Sequence, residues 1–340
     1  MADRRRDLSD TPSTLSAAPA WIADLADGSA VSGCVLAERM GVTRAAVWKQ
    51  IQGLRALGLQ VRAQTGRGYQ LVAPVDLLDA TAIRAALTPQ TSARLGDLQV
   101  HWQLDSTSSE LLRQLASDPR DRLVCVAEVQ SHGRGRRGRA WQTPLGGGIA
   151  LSLLKRFDGG MAALAGLSLA VGIALVAALE DCGVGEVGLK WPNDLVARGA
   201  KLGGILVELG GEAQGPCHAV IGIGLNLRLP AAYSSAVAQP CIDLATLANG
   251  APPSRTRVVA HVLDRLVDAL DRFAATGFAG FADAFARHDV LRNRRVRVLR
   301  GDAERDGIAC GVDERGALRV AFAEGECVVD SGDVSVRESS

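Results

Sequence analysis

The sequence has no excess of charge of either sign, no paired-cysteine motif, no secretion signal and no nucleotide-binding P-loop. Each absence removes a class of function. Lys and Arg number 38 against 37 Asp and Glu, for a formal net charge of +1. Nothing global therefore draws the chain to nucleic acid, and any anion site has to come from local clustering. The seven cysteines, at 34, 125, 182, 217, 241, 310 and 327, are scattered without CxxC or Cys/His spacing. That excludes a disulfide framework and a zinc site, and fits a reducing cytoplasm. The opening "MADRRRDLSDTPS" carries charge with no apolar core behind it, so it reads as a loose tail over residues 1–14 and not as a signal. No G-x-x-x-x-G-K-[ST] occurs anywhere. Long uncharged apolar runs are also scarce: only Met161 to Leu179 approaches membrane-spanning length. Its Ala, Gly and Leu, its lack of aromatic anchors and the Glu180-Asp181 that follows read as a buried core helix, with no membrane partner.

What remains is 340 residues, 47% hydrophobic and 22% charged, enough for two or three globular domains. Residues 15–73 read as three helices and a hairpin. Ser32 and Thr43 are N-caps, Gly41 marks a tight turn, and Val47, Ile51 and Leu54 recur at helical spacing. This is a helix-turn-helix outline. Arg44, Trp48 and Lys49 lie away from the apolar stripe, and "TGRGY" carries Arg67 on a turn between two strand-like runs. Helix plus basic hairpin resembles a winged helix that binds DNA; the same geometry also serves small domains that bind protein or simply pack. Residues 74–288 alternate strands with helices, predicting an α+β domain on a mixed sheet. Residues 289–340 contain only short strand-like runs and turns, predicting a small β-barrel.

The central segment holds "GRGRRGRAW", Gly133 to Trp141, with four guanidinium groups separated only by glycine. It satisfies G-x-G-x-x-G after a strand, but Pro144 and three glycines follow and prevent the helix a dinucleotide loop must open. The four arginines repel one another, so a loosely ordered basic lid is expected, pulled closed by a polyphosphate. A solvated basic loop or an RNA-binding segment is the alternative. Elsewhere lie "DSTSS" (Asp105 to Ser109), "KWPNDL" (Lys190 to Leu195), "KLGGILVE" (Lys201 to Glu208) and "GIGLNL" (Gly222 to Leu227), each weak alone.

In this combination and order the motifs resemble those of the biotin-protein ligases. With the N-terminal domain the chain is similar to the branch that doubles as biotin operon repressors, from about Leu15 to Arg337. The resemblance implies a class II synthetase-like catalytic domain and an SH3-like C-terminal barrel that helps in ATP or carrier recognition. It implies that biotin and ATP, with Mg²⁺, give biotinyl-5′-AMP, and that a lysine of a biotin carboxyl carrier protein then takes the biotinyl group. It also implies operator DNA as a partner, with biotinyl-AMP as co-repressor of a ligand-promoted homodimer. Ser106, Thr107, Gln130, Gly133, Arg134, Arg136 and Lys201 would surround biotin, with Gly204, Gly222 and Gly224 admitting close backbone approach. Arg136, Arg137, Arg139, Trp141, Lys190, Asn193 and Asn226 would bind ATP. Lys201, Arg134 and Asp194 would be catalytic, Lys201 near the carboxylate and Asp194 orienting or deprotonating the acceptor amine. Arg44, Trp48, Lys49 and Arg67 would contact DNA. Ser108, His132 and Gly203 depart from the pattern of many relatives. Two other readings stay open: a ligase whose winged helix only regulates catalysis, and a ligand-sensing transcription factor that does not catalyse.

Overall fold

Caps and turns define the N-terminal unit. The computed structural model describes residues 18–117, 120–230, 233, 239–300, 303–330 and 334–338; the tail expected over 1–14 lies outside them. Helices α1 (Ala20–Ala26), α2 (Gly33–Met40) and α3 (Arg44–Ala56) precede a hairpin of β1 (Val61–Gln64) and β2 (Gly68–Leu71). The Ser32 hydroxyl accepts from Val35 N and that of Thr43 from Ala46 N, both at 3.2 Å, and each satisfies an orphan donor of a first turn. Gly41 closes α2 with φ 63°, a conformation a side chain would resist. Val47, Ile51 and Leu54 face inward as their spacing predicts.

Linker residues 74–79 lead to α4 (Ala80–Ala86) and α5 (Pro89–Arg94), and then to the central sheet. Its seven strands run in the order β3-β4-β5-β9-β8-β7-β6. They are β3 (Leu98–Leu104), β4 (Val124–Gln130), β5 (Gly148–Phe157), β6 (Gly188–Lys190), β7 (Asp194–Ala197), β8 (Ala200–Gly211) and β9 (Cys217–Asn226). Only β3 and β4 pair parallel, so the sheet is mixed, as expected. In β4 successive side chains point to opposite faces. Val124 and Val126 enter the main core, Cys125 and Ala127 a smaller one under α6 (Thr107–Ser117). Both faces are covered, hence the strand's unbroken apolar run.

The apolar run Met161 to Leu179 enters the main core beside the 22-residue α9 (Arg255–Thr276). It is not one continuous helix. Gly166, at φ 77°, separates a 3₁₀ turn (Met161–Leu164) from α7 (Leu167–Asp181). Met161–Asp181 is the one segment among the described residues long and apolar enough to cross a membrane, and 61% of its apolar window is buried inside the fold. Between β9 and α9 lies the short α8 (Leu244–Leu247), and α10 (Ala282–His288) completes the central unit.

The C-terminal strands β10 (Arg295–Arg300), β11 (Ala303–Val312), β12 (Leu318–Phe322), β13 (Gly325–Val329) and β14 (Val334–Glu338) form an antiparallel sheet ordered β13-β12-β11-β10-β14. The strands expected from sequence are present, but no pairing closes β13 onto β14 among the described residues.

The N-terminal unit packs directly on the central one, and a buried ion pair ties the linker to the central sheet. Trp102, Val129 and Leu145 of the central unit belong to the same hydrophobic cluster as Trp21, Leu36 and Ile51, and Leu145 N donates to Leu57 O at the end of α3 (3.1 Å). Beneath the linker, Arg255 and Glu128 form an ion pair at 2.6 Å with side chains 1% and 2% exposed. Arg255 also donates to Gly148 O and Asp76 O, and Glu128 accepts from Leu78 N.

Candidate active site

The arginine segment is a defined hairpin. Arg134 and Ala140 bridge antiparallel, Trp141 N donates to Gly133 O (2.8 Å), and Gly135 N to Arg139 O (2.7 Å) around a 3₁₀ turn at Arg136–Gly138. Two of the four arginines have partners that offset part of the expected repulsion. Arg134 pairs with Glu208 at 2.9 Å, and Arg136 donates to the side-chain Oδ1 of Asn193 at 3.3 Å. Gly133 is buried, and a Cβ there would lie 2.2 Å from Trp141 O, so this position closes the hairpin.

Below the hairpin is a cavity of about 750 Å³, a size suited to a small organic ligand. Six cations line it (Arg134, Arg136, Arg137, Arg139, Lys190 and Lys201) against one carboxylate, Asp194. Such a balance is built for a polyanion. Burial is the largest influence on Arg136 and pulls its guanidinium pKa down; Asp194 opposes that, and the charges of Arg137 and Arg139 add to it.

At one end Thr107 N and its hydroxyl reach Gln130 Oε1 at 2.8 and 3.2 Å. The Thr107 and Ser108 hydroxyls meet Ser152 Oγ at 2.7 and 3.0 Å. Asp105 orients this loop: Arg113 holds its carboxylate with two hydrogen bonds of 2.8 Å and lowers its pKa, and Asp105 Oδ1 accepts from Ser106 N. The result is an enclosed array of hydroxyl and amide groups fit to read a neutral polar ring.

At the other end Lys190 and Asp194 pair across the β6–β7 turn that carries Asn193. Three contacts pin that turn: Asn193 Nδ2 donates to Ile205 O (2.8 Å), Ser168 Oγ to Pro192 O (3.0 Å), and Trp191 Nε1 to Gly316 O of the C-terminal sheet (3.0 Å). Between the two ends, Lys201 Nζ lies 2.7 Å from Asp194 Oδ1. Asn226 is 4% exposed and donates to Lys201 O and Ile242 O, so its amide braces the strand that carries Lys201.

The three glycines give room to neighbouring side chains. A Cβ on Gly204 would meet the Lys201 ammonium at 3.4 Å, one on Gly222 the Ser108 hydroxyl at 3.0 Å, and one on Gly224 the Trp141 indole at 2.3 Å. The cavity thus gathers every residue expected to bind ligand except Gly133, which stands behind it. The four residues expected to contact DNA lie elsewhere: Arg44, Trp48, Lys49 and Arg67 are exposed on α3 and the hairpin turn.

The sequence reading did not single out Ser152, Glu208, Tyr233 or Cys241. Ser152 is 0% exposed, and the only polar residue in "GIALSLL" was a signal of a buried partner. Tyr233 and Cys241 line the cavity from the segment after β9, and nothing in their spacing marked them.

Comparison with known proteins points to a family. Residues 101–226 match the biotin/lipoate A/B protein ligase family, residues 25–70 an HTH domain, and residues 293–337 the biotin protein ligase C-terminal domain. The bifunctional ligase/repressor BirA of Salmonella typhimurium is 38% identical over 294 residues, 86% of this chain and 89% of that protein. The biotin--[acetyl-CoA-carboxylase] ligase of Mycobacterium tuberculosis is 37% identical over 243 residues, 70% of this chain and 88% of that protein. Among solved structures, biotin protein ligase from Aquifex aeolicus in complex with biotin and ATP superposes with a TM-score of 0.61 at 27% identity, covering 72% of this chain and all (100%) of that one. By its motifs and its relatives together, the chain belongs to the biotin-protein ligase family, in the branch that joins the ligase to a helix-turn-helix repressor.

Proposed function

We infer that the protein joins biotin to ATP as biotinyl-5′-AMP, passes the biotinyl group to a lysine of a biotin carboxyl carrier protein, and represses transcription when loaded with the adenylate. One observation carries the catalytic half: a single cavity is lined by a hydroxyl–amide array, by the Lys201–Asp194 pair and by five further cations. Thr107, Ser106 and Gln130 suit the ureido ring of biotin. Lys201 suits its carboxylate, and Arg136, Arg137, Arg139, Lys190 and Asn193 suit the nucleotide phosphates. Two anions must meet in the first step, and fixed cations in a site closed to water lower that cost most where charge develops. Arg134 covers the junction, and Asp194, oriented by Lys201, receives the acceptor amine.

Magnesium is a companion of the nucleotide. No group of three His, Cys, Asp or Glu side chains is present among the described residues, and the one cavity carboxylate is ion-paired. The described residues therefore offer no cage of their own, and the phosphates would carry the ion. The class II synthetase likeness, the domain limits 15–73, 74–288 and 289–340, the closure of the C-terminal sheet into an SH3-like barrel, the ligand-promoted homodimer and the cytoplasmic location belong to the same proposal.

The test is purified protein with biotin, MgATP and a biotin carboxyl carrier domain, where pyrophosphate release and biotin on the carrier lysine are expected. Gly224→Ala should push the Trp141 indole from the cavity wall and weaken biotin binding about tenfold by calorimetry; unchanged affinity would mean the indole is not part of the wall.

A purely regulatory N-terminal unit is the second reading, favoured by the Leu145–Leu57 contact between that unit and the segment joining the arginine hairpin to β5. Replacing Arg44, Lys49 and Arg67 by Ala separates the two. A repressor so altered loses operator affinity and about three units of its salt slope, roughly one per phosphate contact, and still transfers biotin. Identical DNA affinity in parent and triple variant selects the regulatory reading.

A further inference from the structure

We propose that Trp48 recognises thymine in the operator by its 5-methyl group, an inference that rests on the repressor reading. Trp48 is 56% exposed, and among the large exposed hydrophobic residues described it alone is aromatic. It lies one turn beyond Arg44 on α3, with more than half of its surface open to water. The cations around it point to what covers it. Arg44, Lys49 and Arg67 are exposed and unpaired among the described residues, whereas Arg39 on α2 is already bound to Asp24. An apolar ring set among unneutralised cations fits a polyanion that also has an apolar group in its groove.

The indole N–H decides which feature of the groove it reads. With the Gln52 amide turned so that its oxygen faces donors, that oxygen accepts from Trp48 Nε1 (3.2 Å) and from Arg55 Nη1 (3.0 Å). Arg55 is itself fixed, donating through Nε and Nη2 to Val61 O at the start of the hairpin (3.2 and 2.7 Å). The chain of contacts from Val61 through Arg55 and Gln52 spends the one polar group of the indole and sets the ring's orientation. What Trp48 offers a base edge is then carbon and C–H only. In the major groove each base edge presents donors and acceptors, and the thymine methyl is the apolar exception. A ring with its donor engaged gains nothing from purine N7 or O6 and gains apolar contact from that methyl.

The experiment uses the full-length protein with biotin and MgATP. Duplexes are selected from a random library, and each thymine of the selected site is replaced by uracil, which removes the methyl and leaves base pairing intact. The parent should lose roughly three- to tenfold in affinity at one or two positions per half-site. Trp48→Ala should bind the unmodified duplex more weakly by the same factor and be indifferent to uracil there, and Trp48→Phe should retain part of the methyl dependence. Because the side chain is exposed, thermal melting of the variants should match the parent. Uracil duplexes bound as tightly as thymine ones by the parent, or equal uracil sensitivity in Trp48→Ala, would overturn the proposal while leaving DNA binding standing. Loss of self-association in Trp48→Ala, seen by sedimentation, would make the indole a subunit contact and overturn it too. Failure of any duplex to be enriched would remove the repressor reading and this inference with it.

Discussion

Lys201→Ala should slow adenylate formation by about 10²- to 10³-fold, the scale seen when a fixed group that stabilises developing charge is removed. The loss is more than one cation. Lys201 Nζ sits 2.7 Å from Asp194 Oδ1, so its removal takes away that carboxylate's ion-pair partner and leaves it less compensated where a carboxylate of like sign comes in. Asp194→Asn placed on top of Lys201→Ala should therefore recover part of the first-step rate, even though the second step, which needs the carboxylate at the acceptor amine, stays impaired. Single-turnover pyrophosphate release separates the steps, and near-parental release by Lys201→Ala would remove Lys201 from the chemistry.

Arg255→Ala should destabilise the central unit by about 3–5 kcal/mol, because it strands the Glu128 carboxylate in an interior where its side chain is 2% exposed. Glu128→Ala should cost a similar amount for the mirror reason. The double change Arg255→Met with Glu128→Leu should recover most of the loss, since a buried pair is dear to break and cheap to replace. Recovery stops short of complete because the Arg255 bonds to Gly148 O and Asp76 O go as well. Urea unfolding at neutral pH measures this, and a single variant within about 1 kcal/mol of the parent would show that water or a rearranged partner satisfies the remaining charge.

The two predictions differ in how far they could be read from sequence. Lys201 stands in a short motif whose order with "GRGRRGRAW" and "KWPND" pointed to the cavity before any fold was known. Ser32, Gly41 and Thr43 likewise specify their helix ends, because capping is chemistry between near neighbours. Arg255 and Glu128 are 127 positions apart and no local rule joins them. The same distance hid Glu208: four arginines looked self-repelling because the carboxylate that takes up Arg134 lies 74 positions away. Ser152 left a trace, a lone hydroxyl in a strand otherwise apolar, but the trace names no partner. In the C-terminal strands turns and apolar alternation gave the elements, whereas which strand lies at an edge depends on pairings that composition does not encode.

Leu145 has a practical consequence for anyone who divides the molecule. Its side chain sits with Trp102 and Val129 in the hydrophobic cluster of the first unit, and its amide is bound to Leu57 O. A boundary drawn at Pro74 follows the chain but cuts through this cluster. A fragment beginning there would present three apolar side chains to solvent, Leu145 among them between the arginine hairpin and β5, an adhesive patch that invites aggregation. Separating enzyme from repressor in this protein is thus a task of resurfacing as well as truncation, with polar replacements at Trp102, Val129 and Leu145 standing in for the partner that was removed.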